Sequence, residues 1–253
     1  MPRNPRVKSE TGIYHIILRG INRQSVFGDD EDRKRLLSTL KRYQAICGYL
    51  IYAYCLMSNH VHLLIKIGEE PLEQVMRRIS GSYVYWYNQK YDRIGNLFQD
   101  RFKSEPVESD LYLLTVTRYI HQNPLKAGIV TNFDDYFWSS YNDYLKGNGI
   151  TDTSFILSIF SDNKNEAIEQ FKRFNQTEND DNCLEIKDNG SNISDEELDM
   201  IIERDFKIKA AMIKNEPRDK MTTLLKEILK IDGVSTRQLS RLTGISTGVI
   251  WRI

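Results

Sequence analysis

Two apolar runs, YLIYAYCLM at residues 49–57 and HVHLLIKI at residues 60–67, stand back to back with only Ser58 and Asn59 between them. Short runs rich in β-branched and aromatic residues, separated by a polar pair suited to a tight turn, predict a β-hairpin. The second run carries His60 and His62 with one valine between them. In a strand, residues two apart share a face, so both imidazoles project together while Val61 faces the other way. Two neutral imidazoles on one face can hold a metal ion.

The hairpin sits inside a longer alternation. GIYHIILRG reads as a strand, and GDDEDRKRLLSTLKRYQAICG reads as a helix opened by carboxylates in its first turn. After the hairpin, PLEQVMRRISGSYVYWYNQKY fits a helix and LFQDRFKSEPVE a fourth strand with a loop. SDLYLLTVTRYIHQN fits a helix opened by Ser109 and stopped by Pro124. The order is βαββα, then a strand and a helix. It predicts an α+β fold: a ferredoxin-like antiparallel sheet with helices on one face, the other face open, followed by an all-α C-terminal region. The boundaries are 1–146 for the sheet domain, 147–220 for a helical and polar linker region, and 221–253 for a helical tail.

That tail, KMTTLLKEILKIDGVSTRQLSRLTGISTGVIWRI, breaks at Asp232-Gly233 and turns at Thr243-Gly244-Ile245. Short helices around a three-residue, Gly-containing turn are the signature of a helix-turn-helix, with one or two turns of its third helix before Ile253. On that reading Thr247 and Arg252 lie on the recognition helix, and Arg237 and Arg241 on the helix before it. Arg19 and Arg23 flank the GIN turn, and Arg101 and Lys103 lie on the fourth strand. These cations can grip a nucleic-acid backbone or serve as solvated surface.

Charge permits such contact without demanding it. Residues 1–150 hold 20 Lys+Arg against 16 Asp+Glu, residues 151–220 hold 10 against 17, and residues 221–253 hold 5 against 2. Two mildly basic ends flank an acidic middle. No apolar run approaches the roughly 20 residues a bilayer requires, and MPRNPRVKSETG lacks the apolar stretch of a signal peptide. Cys47, Cys55 and Cys183 form neither CxxC spacing nor a disulfide framework. The expectation is a soluble cytoplasmic protein without membrane partners.

A metal site needs more than the two histidines. Tyr119 and Asn123 are four apart and share a helix face, whereas His121 points elsewhere. An amide oxygen beside two imidazoles is an acceptable hard ligand for Mg²⁺ or Mn²⁺, with Gln122 as the fallback if Asn123, preceding a proline, leaves the helix. His15 and His121 are read as structural, and Tyr83, Tyr87 and Tyr91 as a packed helical stripe.

YHIILRGINR, YCLMSNHVHLLIK, FQDRFKSEPVE, YIHQNPLKAGIV and FWSSY, in this order, resemble the single-tyrosine HUH transposases of the IS200 type, and most closely the REP-associated tyrosine transposases. The tail resembles the DnaA-type helix-turn-helix appended to some of them. The resemblance implies a metal-dependent endonuclease and strand-transferase acting on single-stranded, hairpin-bearing DNA ends in DNA transposition. Tyr119 would be the nucleophile, giving a 5′-phosphotyrosine, and His60, His62 and Asn123 the ligands of a divalent metal. The resemblance implies dimers for minimal IS200-type enzymes and a REP-associated type that can act as a monomer, so both monomer and homodimer stand. The alternative function is a non-catalytic nucleic-acid-binding regulator on the same fold.

Overall fold

The computed structural model describes residues 6–185, 193, 195–231 and 233–252. The chain divides into two compact units, residues 1–21 with 26–185, and residues 22–25 with 186–253.

The larger unit runs β1 (Ile13–Arg19), α1 (Asp30–Cys47), β2 (Leu50–Leu56), β3 (His60–Lys66), α2 (Leu72–Lys90), β4 (Lys103–Pro106) and α3 (Asp110–Lys126). The strands form one antiparallel sheet in the order β2-β3-β1-β4. This is the ferredoxin-like arrangement, in which β3 returns between the two strands that α1 connects.

Local chemistry explains the helix boundaries. Asp29 caps α1 and Asp32 answers from the third position, a reciprocal capping box, while Gly48 closes the helix at φ 70°, where a side chain would be strained. Asp32 is buried and receives the Lys90 ammonium at 2.9 Å and the Tyr91 hydroxyl at 2.8 Å, which ties α1 to the end of α2. Ser109 caps α3 as expected. Pro124 does not end it: α3 continues to Lys126 with the proline inside its last turn. There the missing N–H costs one bond rather than the continuity of a long ladder.

Strand alternation sorts the sheet into two faces. Tyr14, Ile16 and Leu18 of β1 and Val61, Leu63 and Ile65 of β3 face α1 and α2, packing with Leu36, Leu40, Val75 and Ile79. Tyr83 and Tyr87 of the aromatic stripe are buried in this same core. Ile13, Cys55 and Leu64 face the other way, against Leu113, Val116 and Ile120 of α3. The face expected to stand open is therefore covered.

What covers it includes a stretch expected to be linker. After α4 (Tyr141–Lys146) come α5 (Ser154–Phe160) and α6 (Lys164–Gln176), which bury Ile156, Leu157, Ala167 and Phe171 in the second core. Phe171 stacks on Tyr144 with ring centroids 4.2 Å apart. The compact unit thus runs to Glu185, past the boundary expected at residue 146. Polar composition hid this: α6 carries a narrow apolar stripe on an otherwise charged helix, enough to dock but not to stand out.

The smaller unit contains α7 (Asp195–Phe206), a 3-10 segment Ala210–Asn215, α8 (Arg218–Leu229), α9 (Thr236–Thr243) and α10 (Thr247–Ile250). Leu198, Ile202, Ile213, Leu225 and Leu239 form its core. Ser235 caps α9, and Gly244 at φ 70° turns the chain toward α10. Of the expected break at Asp232-Gly233, Asp232 lies outside the described residues.

Candidate active site

The faces of β1 and β3 place the histidines. His60 and His62 stand on the α3 side of the sheet, and their rings meet edge to face, with centroids 4.9 Å apart. His62 is 2% exposed, and its Nδ1 lies 3.0 Å from Nε2 of His15 on the neighbouring strand. His15 Nδ1 in turn lies 2.8 Å from Glu105 Oε1, across the β1–β4 pair. Burial pulls the His62 pKa well below the ordinary imidazole value, and His60 and His15 add to this. The ring is therefore neutral at pH 7, the form that ligates metals.

His60 Nδ1 lies 2.6 Å from the amide oxygen of Asn59 and donates to it, so its lone pair sits on Nε2. The hairpin tip that carries these residues is held at its base, because Ser58 and Asn59 carbonyls accept from Val26 and Gly20.

Tyr119 projects from α3 toward the pair. Its ring stands edge-on to His62 at 5.6 Å and to His15 at 5.9 Å between centroids. Its hydroxyl donates to Glu185 Oε1 at 3.3 Å. Burial raises the Tyr119 pKa above the usual phenol value, and the nearby Glu185 carboxylate raises it further. Lys126 holds its ammonium 5.6 Å from the Tyr119 ring centre.

Asn123, one turn on, is half-buried and donates through Nδ2 to the Tyr119 carbonyl at 2.7 Å, which leaves the amide oxygen as its acceptor. Gln122 is committed elsewhere: Nε2 donates to the carbonyls of Asn175 and Thr177, and Oε1 accepts from Asn179. Of the two amides, only Asn123 has an oxygen not already committed in this way. Among the described residues no group of three or more His, Cys, Asp or Glu could hold a metal ion. The donor set on offer is two imidazoles and one amide oxygen, which suits a hard divalent ion that keeps water ligands.

His121 belongs to the packing, as expected. It bonds Ser140 and Asn175 inside a ring of aromatics, and burial lowers its pKa to about 3.

The segment after α6 lies over α3. Asp181 accepts from Arg118, Leu184 donates its N–H to Glu105 at 2.9 Å, and Glu185 meets Tyr119. Sequence reasoning missed Glu105, Glu185 and the role of His15 beside His62. Glu105 is 90 residues from His15, and no local pattern links them.

The expected cations fall in both units, and Arg101 and Lys103 line one cavity of about 370 Å³. Arg19 pairs in register with His60 at the end of β1, and Arg23 sits in the 3-10 turn Ile21–Arg23 with φ 59°. Lys103 is exposed on β4, and Arg101 lines a cavity of about 440 Å³ with Arg6, Arg77, Phe98 and Phe102. In the smaller unit Arg237, Thr247 and Arg252 are exposed, whereas the Arg241 guanidinium is held by Asp195 at 2.7 Å.

Residues 8–123 match the family model of IS200-like transposases. The matched span takes in all four strands, both histidines and Tyr119, and it ends on Asn123. A solved structure of a REP-associated tyrosine transposase bound to a REP hairpin is similar over 60% of this chain and 94% of its own, with 19% identity and a TM-score of 0.50. That likeness supports the fold. A structure of a candidate transposase from Deinococcus radiodurans R1 aligns over 48% of this chain and 97% of its own, with 19% identity and a TM-score of 0.35. No curated protein matches the chain. Among the described residues, no helix is long and apolar enough to cross a membrane.

Proposed function

We propose that the larger unit is a single-tyrosine nuclease and strand-transferase that acts on hairpin-bearing single-stranded DNA in DNA transposition. The observation that carries this reading is the Tyr119 ring standing edge-on to His62, which itself meets His60 edge to face, with Asn123 one turn on from Tyr119 along α3. The match to IS200-like transposases and the likeness to a hairpin-bound relative support it.

His60, His62 and Asn123 would hold a divalent ion, Mg²⁺ or Mn²⁺. Such an ion supplies a Lewis acid at a scissile phosphate. Tyr119 supplies the nucleophile: its oxygen bonds to phosphorus, the 3′ oxygen leaves, and the proton lost by the phenol is regained by that 3′ oxygen. The products are a 5′-phosphotyrosine and a 3′-OH, and attack by a second 3′-OH reverses the step to join new ends. The raised Tyr119 pKa means that the phenol arrives protonated, with Glu185 as its acceptor. A single-stranded substrate suits this site because a sunken phenol reaches a splayed strand more readily than a stacked duplex. The smaller unit's α9, Gly244 turn and α10 fit a helix-turn-helix that adds contacts through Arg237, Thr247 and Arg252.

One observation favours a second reading. Tyr119 is only 6% exposed and its hydroxyl is engaged by Glu185, as befits a non-catalytic nucleic-acid-binding regulator on the same fold.

The deciding experiment labels a single-stranded hairpin substrate at its 5′ or its 3′ end and compares wild type with Tyr119→Phe, with Mg²⁺, Mn²⁺ or chelator. The nuclease reading expects a metal-dependent covalent adduct on the 3′-side fragment, absent in Tyr119→Phe. Binding without cleavage by the wild type would overturn it in favour of the regulator.

A further inference from the structure

Glu105, His15 and His62 form an unbroken row across β4, β1 and β3, all on the α3 side of the sheet. The links are Glu105 Oε1 to His15 Nδ1 at 2.8 Å and His15 Nε2 to His62 Nδ1 at 3.0 Å. We propose that His15 and Glu105 are positioning residues, a relay that fixes the His62 tautomer so that Nε2 is presented to the divalent metal. This rests on the reading of His60 and His62 as metal ligands.

The assignment follows from counting protons. An ionised carboxylate only accepts, so His15 Nδ1 must carry a hydrogen and donate it. With a single proton on His15, its lone pair lies on Nε2 and His62 Nδ1 is the donor to that nitrogen. His62 is left with an unprotonated Nε2, which is the state a metal requires. A second proton on His15 would reverse the row, put a hydrogen on His62 Nε2 and block ligation, and the His62 tautomer spectrum reads which of the two holds.

Three further features hold the row in this polarity. The Leu184 N–H donates to the same Glu105 oxygen at 2.9 Å, so the carboxylate is anchored from a second side. Burial opposes ionisation of Glu105, but the hydrogen bonds from His15 and Leu184 outweigh it and leave its pKa lowered. His15 is 0% exposed, so water cannot replace either partner, and its ring stacks on His62 at 5.3 Å. His60 reaches the same tautomer by a shorter route, through Asn59. The two candidate ligands thus use different acceptors to the same end. A histidine that only filled space on this face would need no carboxylate on the next strand.

The test uses the full chain with ¹⁵N-labelled histidine and measures two quantities. Long-range ¹H–¹⁵N spectra of the metal-free protein report the His62 tautomer. Mn²⁺ titration, followed by electron paramagnetic resonance and by paramagnetic broadening of the His60 and His62 signals, reports affinity. Wild type should show His62 protonated at Nδ1. His15→Phe, which keeps the bulk but removes the acceptor, should mix the tautomers and weaken Mn²⁺ binding about 10–100-fold. His15→Gln, whose amide oxygen can accept from His62, should recover part of that loss. Glu105→Gln, at a site exposed enough to spare the fold, should loosen the tautomer with a smaller loss. The relay is overturned by a wild-type His62 protonated at Nε2, or by unchanged Mn²⁺ affinity in folded His15→Phe. If wild type shows no broadening at either histidine, the metal reading itself falls and the ligand role with it, while the tautomer spectrum still decides whether the relay exists.

Discussion

Arg118 grips Asp181 through two parallel hydrogen bonds, Nε and Nη2 each 2.7 Å from a carboxylate oxygen, one residue before Tyr119 in the chain. Both side chains are mostly buried, at 13% and 10% exposure. Paired planar groups of this kind combine charge with fixed direction. The pair fastens the segment after α6 to α3 beside the candidate nucleophile.

Asp181→Asn should therefore weaken the anchorage of residues 179–185 more than the fold. The expected cost is about 1.5–3 kcal/mol, the range for hydrogen bonds to charged groups. Hydrogen exchange is the check: amides of this segment should exchange faster, with the β1 and β3 amides unchanged. Equal protection in wild type and variant would show that the pair does not hold the segment.

The two amides at the end of α3 should separate cleanly. Asn123→Ala is expected to abolish Mn²⁺ binding with little change in stability. Gln122→Ala should keep Mn²⁺ binding and lose about 1–3 kcal/mol, because Gln122 is buried and bonds to Asn175, Thr177 and Asn179. Titration of both variants with Mn²⁺, alongside urea unfolding, distinguishes the outcomes. The reverse pattern would make Gln122 the ligand.

Asp143 offers a pH-dependent test away from the site. Burial raises its pKa, and the hydrogen bond from Thr151 at 2.6 Å only partly offsets this. A carboxyl whose folded pKa is raised binds protons more tightly when folded, so its ionised form weakens the fold at neutral pH. That penalty fades as pH falls through the folded value toward the unfolded one near 3.9. Asp143→Asn should accordingly be more stable than wild type at pH 7, with the gain shrinking toward pH 4. Urea midpoints across that range measure it, and a gain that grows on acidification would refute the sign.

In the smaller unit, the exposed Arg237 and the Asp195-bound Arg241 should behave differently toward DNA. Arg237→Ala should weaken duplex binding similarly for all sequences and reduce the salt slope by about 1. Arg241→Ala should instead cost the unit about 1 kcal/mol or less of stability through the lost pair with Asp195. Binding isotherms at several salt concentrations, with thermal melts, decide it. Indistinguishable salt slopes for wild type and Arg237→Ala would remove this residue from the interface.

The chain's local order was legible because short-range physics writes it plainly. Short apolar runs mark β1, β2 and β3, first-turn carboxylates and Ser109 mark the starts of α1 and α3, and the Thr243-Gly244-Ile245 turn marks the end of α9. Alternation alone placed His60 and His62 on one face, and helical spacing placed Tyr119 near Asn123. Pro124 misled because a proline rule for helix interiors weakens in the last turn. The helical and polar region expected over residues 147–220 gave no sign that its first part joins the sheet domain, because α6 docks through only a few apolar positions, Ala167, Ile168 and Phe171, in a charged stretch.

Tertiary structure alone decided how the site is held. Which sheet face is covered, that His15 reaches His62, that Glu105 reaches His15 and that Glu185 meets Tyr119 are contacts between residues 47 to 90 positions apart. Secondary structure follows from hydrogen bonds and side-chain periods within a few residues, so local sequence sufficed for the strands, the helices and the shared face of the two histidines. Contacts between distant residues depend on strand order and register, which are set only when the whole sheet pairs and its two cores pack.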